Sequence, residues 1–357
     1  MPRHKVLRGA LAVVVVVSTI FAQQHVKKND RDKLPPGKRV LWTNPGNVAR
    51  LDFKNGLGGA QRRPQPPFRF IKEDLSGSTA KVFVKDGRGL TWNVKWGSEA
   101  RPTTFCTRLA WACGYFASAE YYISQGNIND AHDLKRAWSR ISRDGSFENA
   151  RFQLRPDSPK FLNDAKWKWA ENPFSGSHEM QGLKLLTVLV SNADAKNANL
   201  GVFMDNEGGK PVYRYAVIDW GFTLGKWGNA FTHTLWDCDG FRDQTRKFVK
   251  GVEKGQVDFG YSAKRDGDLS REISVGDVQW LMRYLGKITD AQIRAGLTAS
   301  GATPDETECF TRSLRDRIEQ LRQVAGEPAA RAKTGQLMMP ALLEILRDQR
   351  GFELGIN

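Results

Sequence analysis

Asp194 and Asp219 belong to two short stretches whose residue types and spacing could carry out a reaction. Asp194 lies in Asn192-Ala-Asp-Ala-Lys-Asn-Ala-Asn199 and is followed five residues later by Asn199; Asp219 closes the apolar run of Tyr215-Ala-Val-Ile-Asp-Trp-Gly221. A carboxylate able to take a hydroxyl's proton, together with an amide and a second carboxylate able to hold a divalent cation on nucleotide phosphates, is the inventory of phosphoryl transfer to a hydroxyl. Asp194 is the expected base, and Asn199 and Asp219 are the expected magnesium ligands. Lys196, two residues after the base, is the second expected catalytic group, placed to neutralise the transferring phosphoryl group. Each half of the pattern alone is common, and Asp-x-Gly is also an ordinary turn signal. The order of the two halves and their settings make the joint pattern specific.

These residues need elements to position them. Met180, Leu183, Leu186 and Val190 recur at helical spacing, so a core helix from about Glu179 to Val190 should deliver the chain into the Asp194 loop. Leu200–Met204 and Val212–Ile218 read as a hairpin about Asp205-Asn-Glu-Gly-Gly209, with Asp219 at its exit. Upstream, Phe68–Lys72, Lys81–Lys85 and Leu90–Trp96 read as strands, the last two joined by the turn Asp86-Gly-Arg-Gly89. Alternation in the third sets Trp92, Val94 and Trp96 on one face and Thr91, Asn93 and Lys95 on the other. Lys95 is therefore the expected contact to nucleotide phosphates. Ser76, Gly77 and Ser78, between the first two strands, are able to approach phosphates with N–H groups and hydroxyls. A helix over Thr103–Phe116 contains no glutamate, which leaves Glu99, just before it, as the expected partner of Lys95, with Glu120 just after it. Tyr121–Ser124 and Ala150–Leu154 complete a five-stranded lobe. The stripes Leu281, Leu285, Ile288 and Leu314, Ile318, Leu321, Val324 read as core helices.

A hydrophobic content of 40% is enough for a packed core, and the net charge of +15 falls almost wholly within residues 1–110. That basic third suits phosphate-bearing ligands or an anionic envelope surface. No recognised nucleic-acid motif accompanies the charge, so no specific nucleic-acid partner is expected. Residues 1–22 pair basic residues with an apolar run too short to span a bilayer, the pattern of a secretory signal peptide, with an uncleaved anchor as the minor alternative. The chain is expected to be exported, periplasmic or secreted. Residues 23–66, rich in Lys, Pro and Gly, read as a linker or draped arm, residues 67–157 as a small lobe, 158–325 as a larger one with the crossing near Arg155–Pro159, and 326–357 as a tail with one apolar helix at Leu337–Leu346. Helix rise puts Cys106 and Cys113 about 10 Å apart, beyond disulfide reach. Cys238 or Cys309 could pair with either, and buried free thiols are the other reading. The absence of CxxC and HExxH gives zinc no support.

The stretch from Lys95 to Gly225 resembles atypical members of the protein-kinase-like superfamily, particularly the HipA-like toxin kinases and the phosphoinositide 3-kinase group. Asn192–Asn199 is similar to their D-x-x-x-x-N catalytic loop, and Val217-Ile-Asp-Trp-Gly221 to the I-D-F-G segment of the lipid kinases. Trp92–Glu99, Arg108–Tyr115 and Gly182–Lys184 also resemble patterns shared by a group of exported bacterial proteins. The resemblance implies an α+β, bilobal protein-kinase-like fold, with a small antiparallel β-rich N-lobe, a larger mostly helical C-lobe, and ATP and Mg2+ in the cleft. It also implies a kinase acting on an unspecified protein, lipid or small-molecule acceptor. The chain departs from the family in three ways: the loop has no His, Trp220 replaces the aromatic of Asp-Phe-Gly, and the helix lacks its glutamate. A catalytically inactive kinase-fold binding module, attached through its basic N-lobe to an anionic envelope component or partner protein, is the competing expectation.

Overall fold

The computed structural model describes residues 34–77, 79–156, 159–229 and 231–326. The expected signal peptide, Ser78 and the helix at Leu337–Leu346 lie outside the described residues, as do parts of the expected arm and nearly all of the tail.

Five strands close into a barrel: β2 (Phe68–Glu73), β3 (Lys81–Lys85), β4 (Thr91–Trp96), β5 (Glu120–Asn129) and β6 (Ser146–Leu154), in the order β2-β3-β4-β6-β5. Neighbours are antiparallel except at the closure, where Phe68 pairs in parallel with Ile128. Period-two alternation explains the interior. Trp92, Val94 and Trp96 point inward among Val82, Val84, Tyr121, Phe147 and Phe152, leaving Asn93 and Lys95 on the outer face. Strand β1 (Lys38–Val40) belongs to the sheet of the other lobe.

Helix α1 (Ala100–Ala112) packs against β5 and β6 on one side and helices of the larger lobe on the other. It starts three residues earlier than Thr103 and ends with Gly114 at φ +88°, a left-handed C-terminal position where a Cβ would stand 2.2 Å from Trp42 Nε1. The larger lobe holds a four-stranded sheet in the order β1-β9-β8-β7, from β7 (Lys160–Leu162), β8 (Leu200–Glu207) and β9 (Lys210–Val217), with β1 parallel to β9. Its helices are α2 (His178–Leu189), α3 (Cys238–Thr245), α4 (Val275–Leu285), α5 (Asp290–Ala299) and α6 (Pro304–Val324), with α2 on α4 and both α3 and α5 on α6. Ser274, Thr289 and Thr303 open α4, α5 and α6 with capping boxes that satisfy otherwise orphaned N–H groups. Two small hairpins, β10 (Val249–Glu253) with β11 (Gln256–Phe259) and β12 (Lys264–Arg265) with β13 (Gly267–Asp268), join α3 to α4. A small β-barrel lobe, a bridging helix, then a helix, loop and hairpin leading into a helical lobe constitute a bilobal kinase-like α+β fold.

Two sequence expectations need revision here. The segment read as a draped arm is packed from Lys38 onward: β1 covers the edge of β9, and Leu41, Val48 and Phe53 are buried. The edge of β9 would otherwise present unpaired backbone groups. Gln292 Nε2 donates to the Val48 and Leu51 carbonyls at 2.8 and 2.9 Å, and Arg108 Nε to that of Phe53 at 2.7 Å. The cysteines also sort themselves: Cys238 is bonded to Cys309 with Cα atoms 6.2 Å apart, tying α3 to α6. Cys106 and Cys113 are buried free thiols, each pushed up to about 12 by burial.

Candidate active site

The β8–β9 hairpin assembles the site. Its register pairs Leu200 with Val217, so the residues before β8 and after β9 emerge side by side. The Ile218 N–H donates to the Asn199 carbonyl at 2.9 Å, bringing Asn199 next to the Asp219 turn. Further cross-links fix the two loops. Ala193 N–H donates to the Phe222 carbonyl and Leu224 N–H to that of Val190, both at 2.8 Å, while Asn192 Nδ2 reaches the Asp219 carbonyl at 3.4 Å. Asn192 is buried and also accepts from the Asp194 N–H at 3.2 Å. Sequence reasoning did not assign it a role; an amide two residues before the base is the signal that was there.

Asp194 is held by three donors. Lys196 Nζ at 2.8 Å and Asn199 Nδ2 at 3.0 Å share Oδ2, and Arg265 Nη2 from the β12–β13 hairpin takes Oδ1 at 3.1 Å. The hairpin is moored by Asp266, whose Oδ2 accepts from the Asn197 N–H at 2.7 Å. Burial would raise the Asp194 carboxyl, but the hydrogen bonds and charges of Lys196, Arg265 and Asn199 outweigh it and hold the group below its ordinary value. Asp194 is therefore ionised at neutral pH, the form a proton acceptor needs. Asp219 Oδ1 accepts from the Gly221 N–H at 2.9 Å, a turn that fixes the carboxylate at the end of β9.

Lys95, on β4 of the barrel, lies within electrostatic reach of Asp219. The Arg151 charge and then burial lower it to about 8, while Asp219 and Glu120 pull the other way. Lys95 makes no ion pair among the described residues. Glu99, immediately before α1, lies against the Asp219 turn: a Cβ on Gly221 would stand 2.7 Å from Glu99 Cγ. Burial and the Asp219 charge raise its carboxyl, and Lys95 opposes them. Glu120 is buried on β5, where Arg151 Nη1 at 3.2 Å and Gln153 Nε2 at 3.0 Å hold it.

The β2–β3 loop uses much of its polarity internally. Ser76 Oγ accepts from Lys81 Nζ at 2.7 Å, its N–H donates to Asp74 at 2.9 Å, and the Gly77 carbonyl accepts from Arg136. Arg136 belongs to the β5–β6 connection, which Glu73 clamps by accepting from the Lys135, Arg136 and Ala137 N–H groups at 2.6–2.7 Å. A space of about 450 Å³ under this clamp touches Thr79, Ala80, Gly97 and Glu99. A larger cavity of about 940 Å³ lies beyond Trp96 and Gly97, and Lys95, Asp194, Asn199 and Asp219 do not line it.

The donor set fits a nucleotide with magnesium. Asp219 and Asn199 offer hard oxygen atoms, which suit a cation that takes few protein ligands and lets phosphates and waters complete its shell. No group of three or more His, Cys, Asp or Glu able to hold a metal occurs among the described residues. Ser76 and Gly77 lie in the loop between β2 and β3, and no contact joins them to Asp194, Asn199 or Asp219 among the described residues.

No family model and no curated protein sequence matches the chain. Among solved structures, the chain is similar to the crystal structure of the Helicobacter pylori proinflammatory kinase CtkA, at TM-score 0.42 and 9% identity over 73% of this chain and 96% of that one. It is also similar to the crystal structure of the golgi casein kinase, at TM-score 0.29 and 9% identity over 80% of this chain and 79% of that one. At these scores the likeness adds no argument, and the reading of the site rests on its own geometry.

Proposed function

We propose that the protein is an ATP- and magnesium-dependent phosphotransferase that moves the γ-phosphate to a hydroxyl of a protein, lipid or small-molecule acceptor. The observation that carries this reading is the convergence of Asp194, Asn199 and Asp219 at the root of one hairpin, with Lys95 acting on Asp219 from the opposing barrel. Asp219 and Asn199 would hold the magnesium ion, which when bound neutralises charge on the phosphates. Lys95 binds phosphate oxygens. Asp194 accepts the acceptor hydroxyl's proton at the lone pairs its three donors leave open, and Lys196 offsets negative charge beside it. Glu99 lines the space next to the Asp219 turn. Such catalysis depends mainly on positioning and electrostatics.

The similarity to HipA-like and phosphoinositide 3-kinase catalytic loops supports the same reading. Export is supported by the basic and apolar pattern of residues 1–22 and by the Cys238–Cys309 bridge, a bond favoured by oxidising compartments. No described helix is long and apolar enough to cross a membrane.

A second reading, an inactive kinase-fold module docked on an anionic surface, is favoured by one feature of the barrel. Arg69 and Lys85 are exposed and directly paired across β2 and β3, and exposed Arg62, Arg63 and Arg88 stand nearby on the adjoining loops. Like charges placed opposite each other are unfavourable unless an anion covers them. Labelled-phosphate transfer from ATP, to itself, to water or to an added acceptor, separates the readings. The first requires transfer that Asp194→Asn lowers by at least about a hundredfold; ATP binding without any transfer would leave the second.

A further inference from the structure

Lys95 is one of three cations in a single row across the barrel. The register pairs Lys81 with Lys95 and Lys95 with Arg151, and residues directly opposite one another in antiparallel strands project to the same face. Two of the three have acidic partners: Lys81 with Asp74 at 3.2 Å, and Arg151 with Glu120 at 3.2 Å. Arg151 is only 4% exposed, and its Nη1 alone makes both contacts with Glu120. Among the described residues its Nε and Nη2 make no hydrogen bond, and neither is one of the fully buried unpaired atoms, so both stay open to solvent or to a ligand. A guanidinium carries five donors in a fixed fork, so most of this buried group's capacity is unspent.

The same face shows two further vacancies. Asn93 on β4 is 2% exposed, and its Oδ1 has no partner among the described residues; the same holds for Arg155 Nε, which shares the parity of Arg151 and Gln153 just past the end of β6. Buried polar atoms are rarely left unpaired unless something else satisfies them. Two adjacent cations of which one is unpaired, beside unused donors and an unused acceptor, form a surface completed by an anionic ligand carrying hydrogen-bonding groups. Arg151 is also the largest influence on Lys95, and a negative charge between the two would offset this repulsion.

We propose that Arg151 is a second phosphate-binding residue of the nucleotide site, aimed by Glu120 of the neighbouring strand β5, which Gln153 of Arg151's own strand holds in turn. The inference rests on the nucleotide-dependent reading given above. It gives this lobe a device for which α1 supplies no glutamate: the group steadying the phosphate-binding cations is Glu120 on β5, inside the sheet. A purely structural Glu120–Arg151 pair would need neither the row of cations nor the idle nitrogens.

The test is the dependence of binding on phosphate number. Adenosine, AMP, ADP and ATP, the last two with magnesium, are titrated calorimetrically against the whole chain, Arg151→Gln and the charge-balanced double variant Glu120→Gln/Arg151→Gln. The double variant removes both buried charges, so loss of affinity cannot be put down to an unpaired carboxylate. The expected result is a loss of about tenfold or more for ADP and ATP in both variants, since hydrogen bonds to charged groups are worth roughly 1.5–3 kcal/mol, with adenosine affinity unchanged. Nucleotide binding that is insensitive to Arg151, or that falls equally for adenosine and ATP, overturns the inference while leaving the proposed function standing. If the unaltered chain binds none of the four, the proposed function falls and the role of Arg151 falls with it.

Discussion

Arg265 donates to Asp194 Oδ1 from a hairpin lying well beyond the Asp219 turn, and so takes one oxygen of the proposed base while Lys196 and Asn199 share the other. The base is thus oriented from two directions, by its own loop and by the segment that follows. Burial raises the Asp194 carboxyl; the cations and Asn199 more than offset it. Arg265→Ala removes one of the interactions that lower it, so the carboxyl must titrate at higher pH. Transfer by a base requires the ionised form, and the acid limb of the pH–rate profile should therefore move up in pH. The profile of kcat/KM measures this. An unmoved limb would mean that Asp194 is not the group titrating.

Gly221 has no room for a side chain. A Cβ there would stand 2.7–2.9 Å from the Cβ, Cγ and Cδ of Glu99, so Glu99 as a whole must shift. Gly221→Ala should destabilise the protein by about 1–3 kcal/mol through overpacking. Thermal denaturation would show a Tm lower by roughly 2–10 °C. A variant with unchanged Tm would show that Glu99 does not occupy that position.

Arg317, fully buried on α6, ties the end of α2 to α3. It donates to the Leu189 carbonyl and Ser191 Oγ at 2.8 Å, to Thr245 Oγ at 2.8 Å and to the Phe241 carbonyl at 3.1 Å, with Phe241 stacked 3.7 Å from its guanidinium carbon. Arg317→Met fills the space but removes the charged donor from all four acceptors, leaving the Phe241 carbonyl with the Thr245 hydroxyl and Ser191 Oγ with the Tyr261 hydroxyl. Urea denaturation should show a loss of about 3 kcal/mol or more. The Asp194 loop begins just after Ser191, so transfer activity should fall as well.

The Cys238–Cys309 bridge spans 71 residues of sequence. Closing a loop of that length in the unfolded chain is worth about 4 kcal/mol on the chain-entropy account. The double variant Cys238→Ser/Cys309→Ser should lose a substantial part of that in urea, and a reductant should lower the Tm of the parent but not of the variant. Equal sensitivity in both would place the effect elsewhere.

The legible part of this molecule was the part built from short-range sequence. Asp194, Asn199 and Asp219 sit on a helix, loop and hairpin contiguous in the chain, and the alternation of β4 already placed Lys95 away from Trp92, Val94 and Trp96. The α2 stripe Met180, Leu183, Leu186 and Val190 is buried as its spacing implied. What was not legible depends on pairings between distant segments. The parallel match of β1 with β9, Arg265 on Asp194 and Arg151 beside Lys95 are all tertiary choices, and no periodicity marks them. The sequence places Glu120 only as the second glutamate flanking the helix, because nothing local shows that β5 turns it toward Arg151. The Cys238–Cys309 pairing is missing from the sequence reading, which offers Cys238 or Cys309 only as a partner of Cys106 or Cys113, because spacing constrains only the latter two.

The central claim is that Asp219 and Asn199 hold a cation on nucleotide phosphates facing Lys95. Thermal shift with ATP and magnesium, compared between the unaltered chain and Asp219→Ala, tests it most directly. Ligand at a hundred times its Kd should stabilise the unaltered protein by about 2.7 kcal/mol, and neither ATP alone nor Asp219→Ala should reproduce the magnesium-dependent part. An unaltered chain that ignores magnesium and ATP, or an Asp219→Ala variant stabilised just as much, would contradict the account.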